Sequence, residues 1–134
     1  MKIFIDTNIL ISAALFPNSK PAKAFDKAKY QTGIICEQNI NEMIETFYKK
    51  FPDRFPYLEK FLSENLRHLH IVPMSIEINV LEQKIRDVKD RPLLRTAIEN
   101  GAEYFLTGDK DFLESGVKNP KIINVSDFLD LELI

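Results

Sequence analysis

Tryptophan is absent from this 134-residue chain, cysteine occurs once, histidine twice and glycine four times. The lone thiol, Cys36, cannot close an internal disulfide, and with only two histidines it offers zinc or another soft metal little to bind. No apolar run approaches the roughly 18 to 20 residues that span a bilayer, and the N-terminus lacks the basic region, apolar core and small-residue cleavage site of a secretory signal. The expectation is a cytoplasmic protein with no membrane insertion. Basic residues are not in excess: 18 Lys and Arg against 20 Asp and Glu leave a formal charge of −2 and a pI near 5.7. That balance excludes a bulk attraction for nucleic acid, so any such contact must be local. A Gly-rich phosphate loop, a nucleophile elbow and a Cys/His pairing are also missing, which leaves P-loop hydrolysis and serine acyl transfer without support.

What is present is an ordinary globular composition, 45% apolar and 28% charged, with no internal repeat, low-complexity run or flexible linker. A chain of this length buries roughly two thirds of its unfolded surface in one core, so a single domain over residues 1–134 is expected. Residues 2–6 (KIFID) read as a strand feeding a helix through Thr7-Asn8 and ILISAALF up to Pro17. Ser19 and Pro21 start a second helix that runs to about Gln31. Residues 33–36 (GIIC) suit a buried parallel strand, and a third helix follows from about Asn39 to Pro52, with Ile40, Met43, Ile44, Phe47 and Phe51 at helical spacing. A fourth helix carries Phe55, Leu58, Phe61, Leu62 and Leu66, and residues 68–72 (HLHIV) alternate as a third strand. Ser75 is read as the cap of a helix bearing Ile76, Val80, Leu81 and Ile85, and Asp90-Arg91-Pro92 opens another that Gly101 closes. Residues 104–106 and 122–125 are the last two strands, before a Ser126-capped terminal helix. Five short apolar strands separated by helical crossovers require a parallel sheet with helices on both faces, an α/β three-layer α/β/α sandwich.

In such a sheet ligands bind beyond the carboxyl ends of the strands, where Asp6 and Asp109 fall. Each is equally explained as a helix cap or turn residue, and Asp90, just before a Pro-initiated helix, is a normal helix-start residue. Asp87 lies in the charged loop RDVKD, and periodicity places Glu42 nearly opposite the apolar stripe of the third helix. Carboxylates that converge on one pocket repel each other unless a cation neutralises them, and oxygen ligands favour Mg²⁺ or Mn²⁺ over zinc. His68 and His70 flank Leu69 on one strand face, where a metal pair competes with ordinary strand residues.

Taken together, FIDTNILISAAL, NEMIETF and YFLTGDKDFL resemble the PIN-domain family, and the resemblance spans nearly the whole chain. The pairing of the opening DTN with TGDKDF about a hundred residues later is its most specific feature. The resemblance implies four acids, catalytic and metal-holding, at Asp6, Glu42, Asp90 and Asp109, which places Glu42 in the site against the periodicity. It departs from the family pattern at Arg91, where Asp is common, so that Asp90 is the nearest acid and Asp87 a substitute or helper, and at Cys36, where Ser is common. Asp111 is an auxiliary candidate, and Thr7, Asn8 and Thr107 are candidate orienting groups. The implied activity is metal-dependent ribonuclease hydrolysis in which Mg²⁺ or Mn²⁺ polarises the phosphodiester and a water attacks in line. The implied role is the toxin of a toxin–antitoxin pair, a homodimer silenced by a small antitoxin, acting on single-stranded RNA. A receiver-like or phosphatase-like phosphoryl-transfer domain is the alternative, although position 8 is Asn and the third strand ends in Val72-Pro73; a catalytically inactive PIN binding module is another. Lys20, Lys23, Lys27, Lys29, Lys49, Lys50 and Arg54 are candidate phosphate contacts or a solvated face.

Overall fold

The computed structural model describes residues 1–133. Five strands, β1 (Lys2–Ile5), β2 (Thr32–Cys36), β3 (His70–Val72), β4 (Tyr104–Leu106) and β5 (Lys121–Ile123), form one sheet. All four pairings are parallel and the spatial order is β3-β2-β1-β4-β5. The chain winds outward from β1 to β3, then returns to the other side of β1 for β4 and β5. β1 and β4 are therefore the neighbours between which the winding direction reverses, the place where an open parallel sheet leaves a crevice at its carboxyl edge. The backbone of Asp6, just past β1, donates to Leu106 O at 2.9 Å and so extends that pairing by one residue to the crevice.

Alternation along β1 assigns its side chains to opposite faces. Ile3 and Ile5 enter one core with α1 (Thr7–Leu15), α2 (Lys20–Tyr30), α3 (Glu37–Lys50), α4 (Phe55–Asn65) and α7 (Val125–Asp130). Phe4 enters the other with α5 (Arg91–Glu99) and α6 (Lys110–Leu113), where it stacks on Phe105 at 5.2 Å and Phe105 stacks on Phe112 at 4.5 Å. This is the expected three-layer sandwich. Gly101, at φ 71°, takes the left-handed conformation that ends α5, as its position after the helix required.

Several elements differ from the sequence reading. No helix starts at Ser75: residues 73–79 carry no regular element, and a 3-10 turn, Val80–Lys84, follows. The Ser75 N–H donates to Thr96 Oγ1 at 2.9 Å and its hydroxyl to Glu99, so its polar groups are held by α5. Ile76, Ile78 and Val80 are 86%, 74% and 75% exposed, whereas Ile85 is fully buried. Arg95 of α5 secures the stretch with two hydrogen bonds to Glu82, at 2.8 and 2.7 Å, and one to Ser75 O at 3.2 Å. That guanidinium holds the Glu82 carboxyl below the ordinary carboxylate range.

His68 belongs to a 3-10 turn, Leu66–His68, and only His70 lies in β3, so the two histidines do not share a strand face. The third helix begins two residues before Asn39, with Cys36 as its first cap residue. Asn124, not Ser126, caps the terminal helix by accepting from Asp127 N at 2.8 Å, and the last strand ends at Ile123. α6, expected only as a turn, runs from Lys110 with Asp109 as its cap. Among the candidate phosphate-binding lysines, Lys27 caps the carbonyls of Phe128, Leu129 and Leu131, Lys29 binds Asn65 and Asp26, and Lys49 pairs with Glu45. No helix among the described residues is long and apolar enough to cross a membrane.

Candidate active site

An open cleft of about 290 Å³ lies at the carboxyl edge of the sheet, lined by Asp6, Thr7, Asn8, Ile11, Glu42, Glu45, Thr46, Asp90 and Asp109. The four acids assigned from the sequence therefore meet, although they come from the end of β1, the middle of α3, the start of α5 and the end of the loop after β4.

Asp6 is 5% exposed and caps α1 by accepting from Thr7 N at 2.8 Å. Its other oxygen accepts from Thr107 Oγ1 at 2.7 Å, so capping and the cleft use the same carboxylate rather than competing for it. Burial raises its pKa from 3.8 to about 7 against those two hydrogen bonds, and the charges of Asp90 and Glu42 add to the rise. Asp90 makes no capping hydrogen bond to α5 despite its helix-start position. Partial burial, then the charges of Asp87, Asp109, Glu42 and Asp111, lift its pKa to about 6. Both acids thus take up protons at a higher pH than a free carboxyl, in competition with any neighbouring cation.

Glu42 is half-buried because α3 is rotated from the expected orientation. Its sequestered line is Asn39, Met43 and Phe47, one helical turn apart, while Ile44 is 40% exposed. Glu42 beside that line accepts from Thr7 Oγ1 at 2.7 Å and from Gln38 Nε2 at 2.8 Å. Asp109 caps α6 by accepting from Asp111 N at 2.9 Å. The loops DTN and TGD are stitched together by Thr107 to Asp6 and by Gly108 N to Asn8 Oδ1 at 3.3 Å, and TGD is closed on itself by Asp109 N to Thr107 Oγ1 at 2.9 Å. Asp87 lies outside the lining of the cleft and accepts from Lys89 N at 3.0 Å. It forms a second, outer group with Asp90 and Asp111 in which one carboxylate oxygen of each lies within 4.8 Å of the others. Asp111 is paired with the exposed Arg86. Arg91 folds away, donating from Nε to Ile85 O at 2.9 Å, and so leaves the acid at position 90 as the one that enters the cleft.

Sequence reasoning missed Gln38, Asn39, Glu45 and Thr46. Glu45 and Thr46 are adjacent to Glu42 on the turn that faces the cleft, a signal available once Glu42 is accepted. Asn39 is a polar residue in a buried line and has no counterpart in hydrophobic periodicity. Cys36 is fully buried, and burial pushes its thiol up.

The donor set fits a hard divalent cation: it offers carboxylate oxygens from Asp6, Glu42, Asp90 and Asp109, with the Asp6 and Asp90 carboxyls raised by burial, and no thiolate or imidazole.

An uncharacterized protein of Methanocaldococcus jannaschii is 30% identical over 135 residues, 93% of this chain and 83% of its own. VapBC2 from Rickettsia felis, solved bound to a DNA fragment from its promoter, superposes with a TM-score of 0.67 at 19% identity, over 92% of this chain and 98% of that one. FitAcB from Neisseria gonorrhoeae matches equally well, 0.67 at 18% identity over the same shares, and PAE2754 from Pyrobaculum aerophilum at 0.62 and 18%, over 96% of both chains. These likenesses establish the shared architecture. The PIN-domain family model matches residues 2–111, which carry all five strands but the last and every acid of the cleft, and the chain belongs to that family.

Proposed function

We propose that this protein is a divalent-cation-dependent ribonuclease in which Asp6, Glu42, Asp90 and Asp109 hold Mg²⁺ or Mn²⁺ at the sheet's switch point. The reading rests above all on the convergence of four carboxylates from distant segments on one cleft, with burial and mutual repulsion holding Asp6 near 7 and Asp90 near 6. A bare carboxylate cluster would repel a nucleic-acid backbone at the point of reaction. A bound divalent cation supplies the positive charge that draws in the phosphodiester, polarises it and acidifies the attacking water.

The chain's own residues do the rest. Protons on Asp6 and Asp90 would compete with a cation as pH falls through about 7 and about 6, which would tie occupancy to pH. Thr107 and Thr7 hold Asp6 and Glu42 in fixed orientation, and Asn8 keeps the loop bearing Asp109 against α1. The cleft is open at the surface, which suits a single-stranded RNA segment. Attack by external water breaks the bond to the 3′-oxygen, which leaves as the 3′-hydroxyl, and the phosphate stays on the 5′ end. Arg91 does not make the domain an inactive binding module in this reading, since Asp90 enters the cleft in its place.

Family membership and the architecture shared with VapBC2 and FitAcB support a further assignment: the toxin of a toxin–antitoxin pair, acting in the cytoplasm as a homodimer restrained by a small partner protein. The test is cleavage of single-stranded RNA in Mn²⁺ and in EDTA, with Asp6→Asn and Asp109→Asn alongside the wild type and product ends mapped. Cation-dependent cutting with 5′-phosphate ends, lost in both variants, is expected. Cyclic phosphate ends, or cutting that survives both substitutions, would place the chemistry elsewhere.

A further inference from the structure

Asn39 is fully buried and lines no part of the cleft, yet it stands at the head of a hydrogen-bond chain that ends on a cleft carboxylate. The direction of every proton in that chain follows from its first link. The Cys36 backbone N–H can only donate, and it donates to Asn39 Oδ1 at 2.7 Å. The other end of the amide is therefore Nδ2, which meets Thr7 Oγ1 at 2.7 Å and can only donate to it. The Thr7 hydroxyl has one hydrogen, and with its oxygen already accepting from Asn39 that hydrogen is free to lie on Glu42 Oε2, 2.7 Å away. A backbone N–H at the start of α3 thus dictates, through two side chains, that Glu42 receives a proton donor on one oxygen. Gln38 Nε2 occupies the other oxygen at 2.8 Å.

A second chain at the cleft repeats the device with different parts. Asp109 N–H donates to Thr107 Oγ1 at 2.9 Å, which commits that hydroxyl's hydrogen to Asp6 Oδ2 at 2.7 Å. In both chains an N–H that cannot reverse sets a threonine hydroxyl, and the hydroxyl sets a carboxylate. No buried side-chain nitrogen or oxygen among the described residues lacks a partner, so neither chain has a vacant link at which it could run the other way.

We infer that Asn39 is a positioning residue of the cleft, acting through Thr7 to hold the Glu42 carboxylate aimed at the divalent cation. The inference rests on the metal-site reading above and adds to it a residue that touches neither cation nor substrate. Asn39→Asp keeps the acceptor for Cys36 N–H, and with it the start of α3, but at a pH high enough to ionise its buried carboxyl it has no donor for Thr7. The Thr7 hydrogen then has a competing acceptor in place of a donor behind it. Thr7→Val cuts the same chain without changing shape, and Thr7→Ser retains it.

The experiment is calorimetric titration of Mn²⁺ into the metal-free full chain, with thermal midpoints in EDTA as the control for folding. Asn39→Asp and Thr7→Val are each expected to weaken Mn²⁺ binding about ten-fold or more, the usual effect of removing a group that orients a metal ligand, while Thr7→Ser stays within about three-fold. In a Glu42→Gln background Asn39→Asp is expected to cost nothing further, because the group it acts through is gone. Wild-type affinity in a folded Asn39→Asp, or a loss repeated in full in the Glu42→Gln background, overturns the inference. If Asn39→Asp does not fold, Thr7→Val against Thr7→Ser decides: equal affinities reject the chain. A wild-type protein without Mn²⁺ affinity removes the metal reading and this inference together, whereas wild-type binding that is insensitive to the chain removes the inference alone.

Discussion

The two sides of the acid rim are built differently. On the inner side, Asp6 and Glu42 are locked by hydroxyl donors whose own geometry is set by N–H groups, and Asp6 is almost wholly buried. On the outer side, Asp87, Asp90 and Asp111 are partly or fully exposed, and the partners of Asp87 and Asp111 are a backbone N–H of its own turn and an exposed arginine. The contrast teaches that a site can be preorganised on one side and adjustable on the other. The buried side bears the cost of desolvation permanently, and the exposed side retains water to share with a ligand.

If that asymmetry governs function, Asp6→Asn has the largest effect, a fall in cation-dependent cleavage of about a thousand-fold or more, equivalent to about 4 kcal/mol of transition-state stabilisation. The same substitution leaves the thermal midpoint in EDTA unchanged or raised, because Asn fills the space without an ionisable group. Next in size is the pH dependence of the metal-free protein. Asp6 and Asp90 are raised above the unfolded value, so the folded state keeps protons that the unfolded chain releases. Their stabilising contribution is complete below about 3.8, and declines as pH climbs through about 6 and about 7. Chemical unfolding in EDTA is expected to show a loss on the order of 4 kcal/mol from Asp6 between pH 4 and pH 8 relative to Asp6→Asn, and Mn²⁺ to reverse it.

Asp90→Asn, at the junction of the two sides, is expected to lower cleavage about a hundred-fold. A loss as large as that of Asp6→Asn would erase the distinction between the sides. Asp87→Asn and Asp111→Asn stand last, each within about ten-fold of wild type, since neither lines the cleft. An effect of either one that matched Asp90→Asn would move the functional cation outward to the three-acid group, and Mn²⁺ titration of the same variants would show it.

Legibility followed the range of the forces involved. Asp6 and Asp109 were readable because β1 and β4 are short apolar runs and an acid at the carboxyl end of a parallel strand has few places to go. The strand count and layer order followed from the same local signals. Glu42 was misplaced by periodicity because the stripe was drawn through Ile40, Ile44 and Phe47, whereas the helix turns Asn39, Met43 and Phe47 inward. A buried asparagine is favourable there only because Cys36 N and Thr7 satisfy its amide, and neither bond can be inferred from hydrophobicity. The helix expected from Ser75 to Ile85 failed for a similar reason. Its spacing was helical, but Thr96 and Glu99, more than twenty residues on, hold Ser75, and Arg95, thirteen residues on, holds Glu82, in another conformation. Contacts of that range decide irregular segments, and local patterns do not contain them.

The Arg95–Glu82 pair has a mechanical side. Its two residues are thirteen positions apart and nearly sequestered from water, and Asp87 and Asp90 lie on the stretch between them. The pair is a buckle on a short belt, and two of the adjustable acids, Asp87 and Asp90, ride on the belt. Unfastening it by Arg95→Met would strand Glu82 without its counter-ion and lengthen the slack available to Asp90, so that a cation at the rim would have to tighten the belt by itself.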